Sequence, residues 1–253
     1  MNAASVAPSS VAPSSVAIVT GAASGIGHAI SLALADAGYR VALVDFDAEG
    51  LERVAAERKA FAPFLCDITG IEALPGLVTE IAQSLGAPFV LVNNAAKGGG
   101  GAIADVTPDA FDGVFAVSVR ASFFLTRAVV PLMTGGGRII NVSSLIGARG
   151  AAANSHYAGA KAAMIGFTRA WAQEFAGQGV TVNAILPALT DTPMTRAAMS
   201  EADIAARAAA IPMGRLALPR DCADLAVFLA SEQARFLTGQ VLSPNGAEFT
   251  GAL

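Results

Sequence analysis

"VAIVTGAASGIGHAISLALADAG", residues 16–38, reads as strand, glycine-rich turn and helix in immediate succession. Val16–Thr20 is apolar and β-branched throughout, as suits a strand buried on both faces. From Gly25 onward Ile26, Ile30 and Leu34 recur at helical spacing, and Gly38 supplies a stop. A short strand feeding a helix through a tight turn is the first half of a crossover to a parallel neighbour.

The alternation then repeats. "RVALVD" (40–45), "FAPFL" (61–65), "PFVLVNN" (88–94), "RIINVSS" (138–144), "VTVNAIL" (180–186) and "GQVLS" (239–243) read as further buried strands, with helical stretches at Asp109–Met133 and Ser155–Ala176. Continuous apolar strands separated by helices predict one doubly wound α/β domain, a parallel sheet covered on both faces. Residues 1–14, where SVAPS occurs twice, read as a flexible low-complexity tail, which leaves 15–253 as the domain.

Of 253 residues 54% are hydrophobic and 14% charged, with a net charge of −4 and no basic run, so no nucleic-acid partner is expected. Mean hydropathy is high at +0.56. The apolar stretches are nevertheless interrupted, by Arg127 and Pro131 after Ala121 and by Asn183 within Val180–Leu186, short of the ~18 residues of a bilayer span. No membrane partner is expected, and the surplus apolar surface is assigned to subunit contacts. Cys66 and Cys222 fit no metal or redox spacing and suit the cytoplasm; with His28 and His156 the only histidines, no metal is expected.

In "TGAASGIG" (20–27) Gly21 permits the tight turn, and Gly25 and Gly27 let backbone approach a pyrophosphate held at the helix N-terminus. Asp45, eighteen residues after Gly27, ends the second strand, where a carboxylate accepts hydrogen bonds from ribose hydroxyls and repels a 2′-phosphate. Ser24 stands where an arginine could have met that phosphate. Both features favour NAD over NADP; the competing reading of Asp45 is a helix cap. Asp67 could face the adenine or cap a turn.

"HYAGAK" (156–161) places Tyr157 one helical turn before Lys161. An ammonium about 6 Å from a phenolate stabilises it by about 3 kcal/mol, or about two pKa units, at an effective dielectric near 20. That predicts a proton-transferring pair. Ser144, thirteen residues earlier at a strand end, could hold the substrate oxygen for the transfer.

Together TGAASGIG, Asp67, "NNAA" (93–96), Ser144, Tyr157-x-x-x-Lys161 and "PALTDT" (187–192) resemble the short-chain dehydrogenase/reductase family in order and spacing. The resemblance implies a Rossmann-type domain with a seven-stranded sheet, usually a homotetramer, with Tyr157 as acid/base and Ser144 orienting the substrate. Lys161 would hold the nicotinamide ribose and lower the tyrosine pKa. Cofactor contacts fall on Gly21, Ser24, Gly25, Ile26, Gly27, Asp45, Asp67, Ile68, Pro187, Thr190, Tyr157 and Lys161. Asn93 and Ala95 would line the adenosine side and Thr192 the carboxamide, and residues 192–214 a mobile lid with an apolar wall of Met194, Met199, Ile204, Ile211 and Met213.

Ser118 falls where the family often carries an asparagine that holds a relay water; a serine is shorter and can either bond its own backbone or still hold the water, so slower proton exchange rather than an inert site is expected. Ala96, Ala188 and Ala247 replace usual glycines, and compatible dihedrals are expected at all three. The substrate is a secondary alcohol or ketone, and Arg149 and Asn154 could reach a polar group on it. Uncharged turns at 134–137 and 176–179 offer an acidic carrier protein no landing patch. With Asp45 this favours an NAD-dependent alcohol, polyol or hydroxyacid dehydrogenase over the alternative, a 3-oxoacyl-carrier-protein reductase. A non-catalytic NAD-binding protein is the reading of another class. A serine hydrolase is disfavoured because no G-x-S-x-G elbow occurs.

Overall fold

β1 (Val16–Thr20) pairs in parallel with both β2 (Arg40–Asp45) and β4 (Pro88–Asn93), which makes the first strand central. The computed structural model describes residues 15–251, so the tail assigned to residues 1–14 lies outside the described residues. With β3 (Phe61–Leu65), β5 (Gly137–Val142), β6 (Val180–Ile185) and β7 (Val241–Leu242) the order is β3-β2-β1-β4-β5-β6-β7, and each neighbouring pair is parallel. Chain order runs outward in opposite directions from β1 and β4. A crevice therefore opens at the carboxyl ends of those strands, where doubly wound folds gather ligands.

The helices are α1 (Gly25–Asp36), α2 (Ala48–Ala55), α3 (Leu74–Leu85), α4 (Pro108–Phe115), α5 (Ser122–Val129), α6 (Leu145–Arg149), α7 (Ser155–Phe175), α8 (Pro193–Ala198), α9 (Glu201–Ala210) and α10 (Pro219–Ala230). Strand alternation sorts the core into two layers. Ala17, Val19, Leu43 and Val92 face Ile30 and Leu34 of α1 and Ala226 of α10. Val16, Ile18, Ala42 and Leu91 face Ile81 of α3, Leu125 of α5 and Trp171 of α7. Both strand faces are thus dry, the physical reason these segments read as unbroken apolar runs. Truncating a residue such as Leu91 to alanine would cost roughly 2–5 kcal/mol.

Two expectations are corrected. The run Pro108–Leu132 is one helical stretch of 25 residues, long and apolar enough by length and composition to cross a bilayer, contrary to the expectation that interruptions exclude such a segment. Arg127 and Pro131 do not break it, because Pro131 enters a closing 3₁₀ turn (Val130–Leu132) and Arg127 lies over the ring of Phe124. Its Ala121, Leu125 and Val129 pack against the sheet. Within it, Ala116–Ala121 is a π turn. The uncharged turns at 134–137 and 176–179 precede β5 and β6 and bond to each other through Gly137 N–H and Gly179 C=O. They sit at the amino-terminal edge of the sheet, opposite the crevice, so their lack of charge carries no information about what approaches the site.

Candidate active site

The glycine turn is held by contacts no larger residue would permit. Gly21 and Gly25 adopt φ +65° and +56°. A Cβ on Gly27 would lie 2.0 Å from the Gly21 oxygen, and one on Gly21 3.0 Å from Ala95 Cα. Asn94 donates to the carbonyls of Thr20 and Gly21, while Thr20 Oγ1 accepts from the N–H groups of Asn94 and Ala95. Ser24, the exposed N-cap of α1, makes no side-chain cap bond, and the first turn of this helix holds no acidic residue. Its N–H groups and dipole therefore fit a pyrophosphate. Half-buried Ile26 follows, and Thr192 comes within 3.6 Å of where a Gly25 Cβ would sit, so the loop after β6 closes over the cradle.

Asp45 stands beside this cradle, its carboxylate accepting from the N–H groups of Ala23, Phe46 and Asp47. It does not cap α2; Asp47 does, accepting from Gly50 N–H. Asp67 is exposed, and its Oδ1 accepts from both the N–H and the hydroxyl of Thr69, the turn-capping alternative, next to buried Ile68. Asn93 departs from expectation. Its side chain is buried and donates to Thr126 and Asn141, so it joins sheet to helices and leaves only backbone to line an adenosine site. Its neighbour Asn94 is the residue that clamps the glycine turn. His28 pairs with Glu57, tying α1 to the segment after α2.

Ser144 is the N-cap of α6, accepting from Ile146 N–H, and its hydroxyl lies near enough to the Tyr157 phenol to lower its pKa. α6 and α7 approach closely because residue 147 is glycine: a Cβ there would be 2.8 Å from Lys161 Cβ. Lys161 is buried, donates to the Val142 carbonyl at 2.9 Å, and holds its Nζ 5.9 Å from the Tyr157 ring centroid. The two side chains are thus neighbours, as the four-residue spacing predicts, but burial rather than their pairing sets both pKa shifts. Burial pushes the Tyr157 phenol above its usual value, more than the Ser144 hydroxyl lowers it. Burial also brings the Lys161 ammonium down to about 8. Desolvation outweighs the pairing because both charged forms lose water in the same place.

Ser118 lies in the π turn, buried, and its Oγ makes no hydrogen bond within the protein, so of the two alternatives it does not take the bond to its own backbone. The backbone carbonyl of Ser118 instead accepts from Ser122 Oγ.

On the far side of the crevice Pro187 accepts from Leu145 N–H, Thr190 is buried and bonded to Ala188 C=O, and Thr192 caps α8. Residues 192–214 form α8 and α9, but Ile204, Ile211 and Met199 pack with Leu216 and Leu189 into a small core of their own. Only Met194 and Met213 of the expected wall are exposed. Ala96 and Ala188 avoid positive φ, whereas Ala247 adopts φ +68°, contrary to expectation. Ala153 does so too, at φ +56°. Each left-handed alanine costs roughly 1–2 kcal/mol. Beyond Ala247, Glu248 accepts from Arg149 at 2.6 Å and lies 3.5 Å from Arg207. Asn154 lines the same region but bonds the Ala152 carbonyl.

Sequence reasoning missed Asn94, Thr20, Gly147 and Glu248. A polar residue at the end of the strand beside the glycine turn could have flagged Asn94; Glu248 had no signal, since its partners are 99 and 41 residues away.

Residues 21–246 match the family described as Enoyl-(Acyl carrier protein) reductase. Among curated relatives, 3-oxoacyl-[acyl-carrier-protein] reductase FabG of Thermotoga maritima is 35% identical, covering 91% of this chain and 96% of that protein. Acetoacetyl-CoA reductase of Shinella zoogloeoides is 38% identical, covering 92% and 98%. Among solved structures, a variant of actinorhodin polyketide ketoreductase with NADPH superimposes with a TM-score of 0.90 at 32% identity, over 93% of this chain and 97% of that one. The glycine cradle, the Ser144–Tyr157–Lys161 cluster and these likenesses have one reading: this chain is a member of the short-chain dehydrogenase/reductase family of oxidoreductases.

Proposed function

We propose that this enzyme reduces the 3-oxo group of an acyl thioester to a secondary alcohol, with NADH as the donor. The relatives favour this over the polyol or alcohol dehydrogenase reading preferred from sequence. The observation that carries it is the cluster of Ser144, Tyr157 and Lys161, with Lys161 Nζ 5.9 Å from the Tyr157 ring centroid and burial keeping the phenol protonated. A phenol that keeps its proton is an acid, and reduction of a ketone needs an acid. Ser144 would hold the ketone oxygen, and Tyr157 Oη would deliver the proton to it as the alkoxide forms. Lys161, within reach of Tyr157 and the crevice, would hold the ribose and return positive charge to the phenol. The bound cofactor supplies the hydride, seated by Gly21, Gly25 and Gly27 at the α1 N-terminus, with Pro187, Thr190 and Thr192 beside its nicotinamide end.

The choice of NADH rests on Asp45. Its carboxylate lies at the cradle, bonded to Ala23 N–H, where a 2′-phosphate would meet like charge. Exposed Arg53 donates one hydrogen bond to the Ala23 carbonyl. Assembly as a homotetramer belongs to the same reading and is supported by Phe123 and Phe228, each about 40% exposed on α5 and α10. The test is acetoacetyl-CoA reduction with NADH and NADPH in parallel, followed by loss of reduced-nicotinamide absorbance. Faster turnover with NADH is expected; turnover of a polyol without turnover of the thioester would overturn the substrate, and preference for NADPH the cofactor.

A further inference from the structure

We propose that Arg149 and Arg207 form a subsite for an anionic group of the substrate, foremost a carboxylate carried on the acyl chain; this rests on the thioester-reductase reading. The two arginines line a cavity of about 550 Å³ together with Ile146, Asn154, Leu189 and Met199. Arg149 closes α6, the helix whose N-cap is Ser144. Five residues of helix set it about 7.5 Å along the axis from Ser144. Arg207 comes from α9, on the lid.

Glu248 shows what the pair can hold. Its Oε1 lies between the two guanidinium groups, at 2.6 Å from Arg149 and 3.5 Å from Arg207. Its Oε2 is buried without a partner, so this internal carboxylate is only half satisfied. Two cations and one anion leave the cluster one positive charge. Of the other charged groups on this wall, Arg196 pairs with Asp191 and Glu201, while Asp203, hydrogen-bonded only to Ser200 among the described residues, keeps its charge. Among the described residues the Arg207 guanidinium makes no hydrogen bond, and its side chain is 51% exposed. It is therefore the arm with donors to offer, while Glu248 fixes Arg149. Guanidinium favours planar, bidentate acids. Ile146, Leu189 and Met199 give methylene groups an apolar path between the ketone and that acid. The structure thus selects 3-oxoacyl thioesters that end in a carboxylate.

The test compares three substrates with the NADH-loaded enzyme: the uncharged thioester 3-oxobutyryl-N-acetylcysteamine, the acid-ended 3-oxoadipyl-N-acetylcysteamine, and acetoacetyl-CoA. The wild type should favour the acid-ended thioester by about tenfold in kcat/KM. Arg207→Gln should bring that ratio near one with the rate on the uncharged substrate unchanged, and Arg207→Lys should recover part of it. If Arg207→Gln instead weakens only acetoacetyl-CoA, the anion recognised is a phosphate of the thiol arm, and the subsite stands with that source. Equal ratios in wild type and Arg207→Gln for both charged substrates overturn it. If no thioester is reduced, the functional reading fails separately, and calorimetric titration with succinate decides the subsite. Loss of binding in Arg207→Gln supports it, and equal binding overturns it.

Discussion

The crevice has two walls made on different principles. The cofactor wall is backbone: glycines in left-handed conformations, a helix N-terminus without a cap, and Asn94 and Thr20 bonding main-chain atoms. The substrate wall is side chain: Arg149, Arg207 and Glu248 from three distant segments, with a left-handed alanine before the last. At Gly21 and Gly27 the backbone leaves no room for a side chain, so that wall suits a dinucleotide, with the Asp45 side chain left to choose between its forms. Side-chain charge can change one residue at a time, and under the proposal above that wall would select the substrate.

The sharpest way to break this contrast is Gly27→Ala. With a Cβ 2.0 Å from a carbonyl oxygen, NADH affinity should fall about 10³-fold, or ~4 kcal/mol, in equilibrium titration. An ordinary dissociation constant would show that the cradle is soft. Lys161→Met should abolish turnover yet stabilise the fold by about 2 kcal/mol in urea unfolding, because a buried ammonium is removed. The sign follows from linkage. Lys161 titrates near 8 when folded and near 10.5 when unfolded, so the unfolded chain binds more protons in that interval. Wild-type stability should therefore gain a rising contribution between those pH values, absent in the variant. Asp45→Ser should shift the NADH/NADPH ratio of kcat/KM toward NADPH by about tenfold, ~1.4 kcal/mol. No shift would leave that carboxylate a purely local cap of Ala23, Phe46 and Asp47. Ala247→Gly should raise Tm by roughly 2–4 °C, the smallest effect, by relieving left-handed strain.

What was legible in the sequence follows the same division. β1 and β2 end where the apolar runs end, because burial on both faces leaves a pattern no loop imitates. β3, at the sheet edge, buries only Phe64 and was legible from its apolar composition alone. The glycine turn and the Tyr157–Lys161 spacing were legible because each function is local in the chain. The inward turn of Asn93 was not, since its partners Thr126 and Asn141 come from other elements. Nor was the phenol pKa, which depends on water excluded by the fold rather than on the lysine one turn away. The π turn at Ser118 and the left-handed Ala247 are backbone states that neither residue type announces.

The central claim is that Tyr157, protonated at neutral pH, gives its proton to the ketone oxygen. Single-turnover reduction of acetoacetyl-CoA by NADH-loaded Tyr157→Phe tests it most directly. The rate should fall at least about 10²-fold while NADH binding stays within a few-fold of wild type. A rate near that of the wild type would contradict the account.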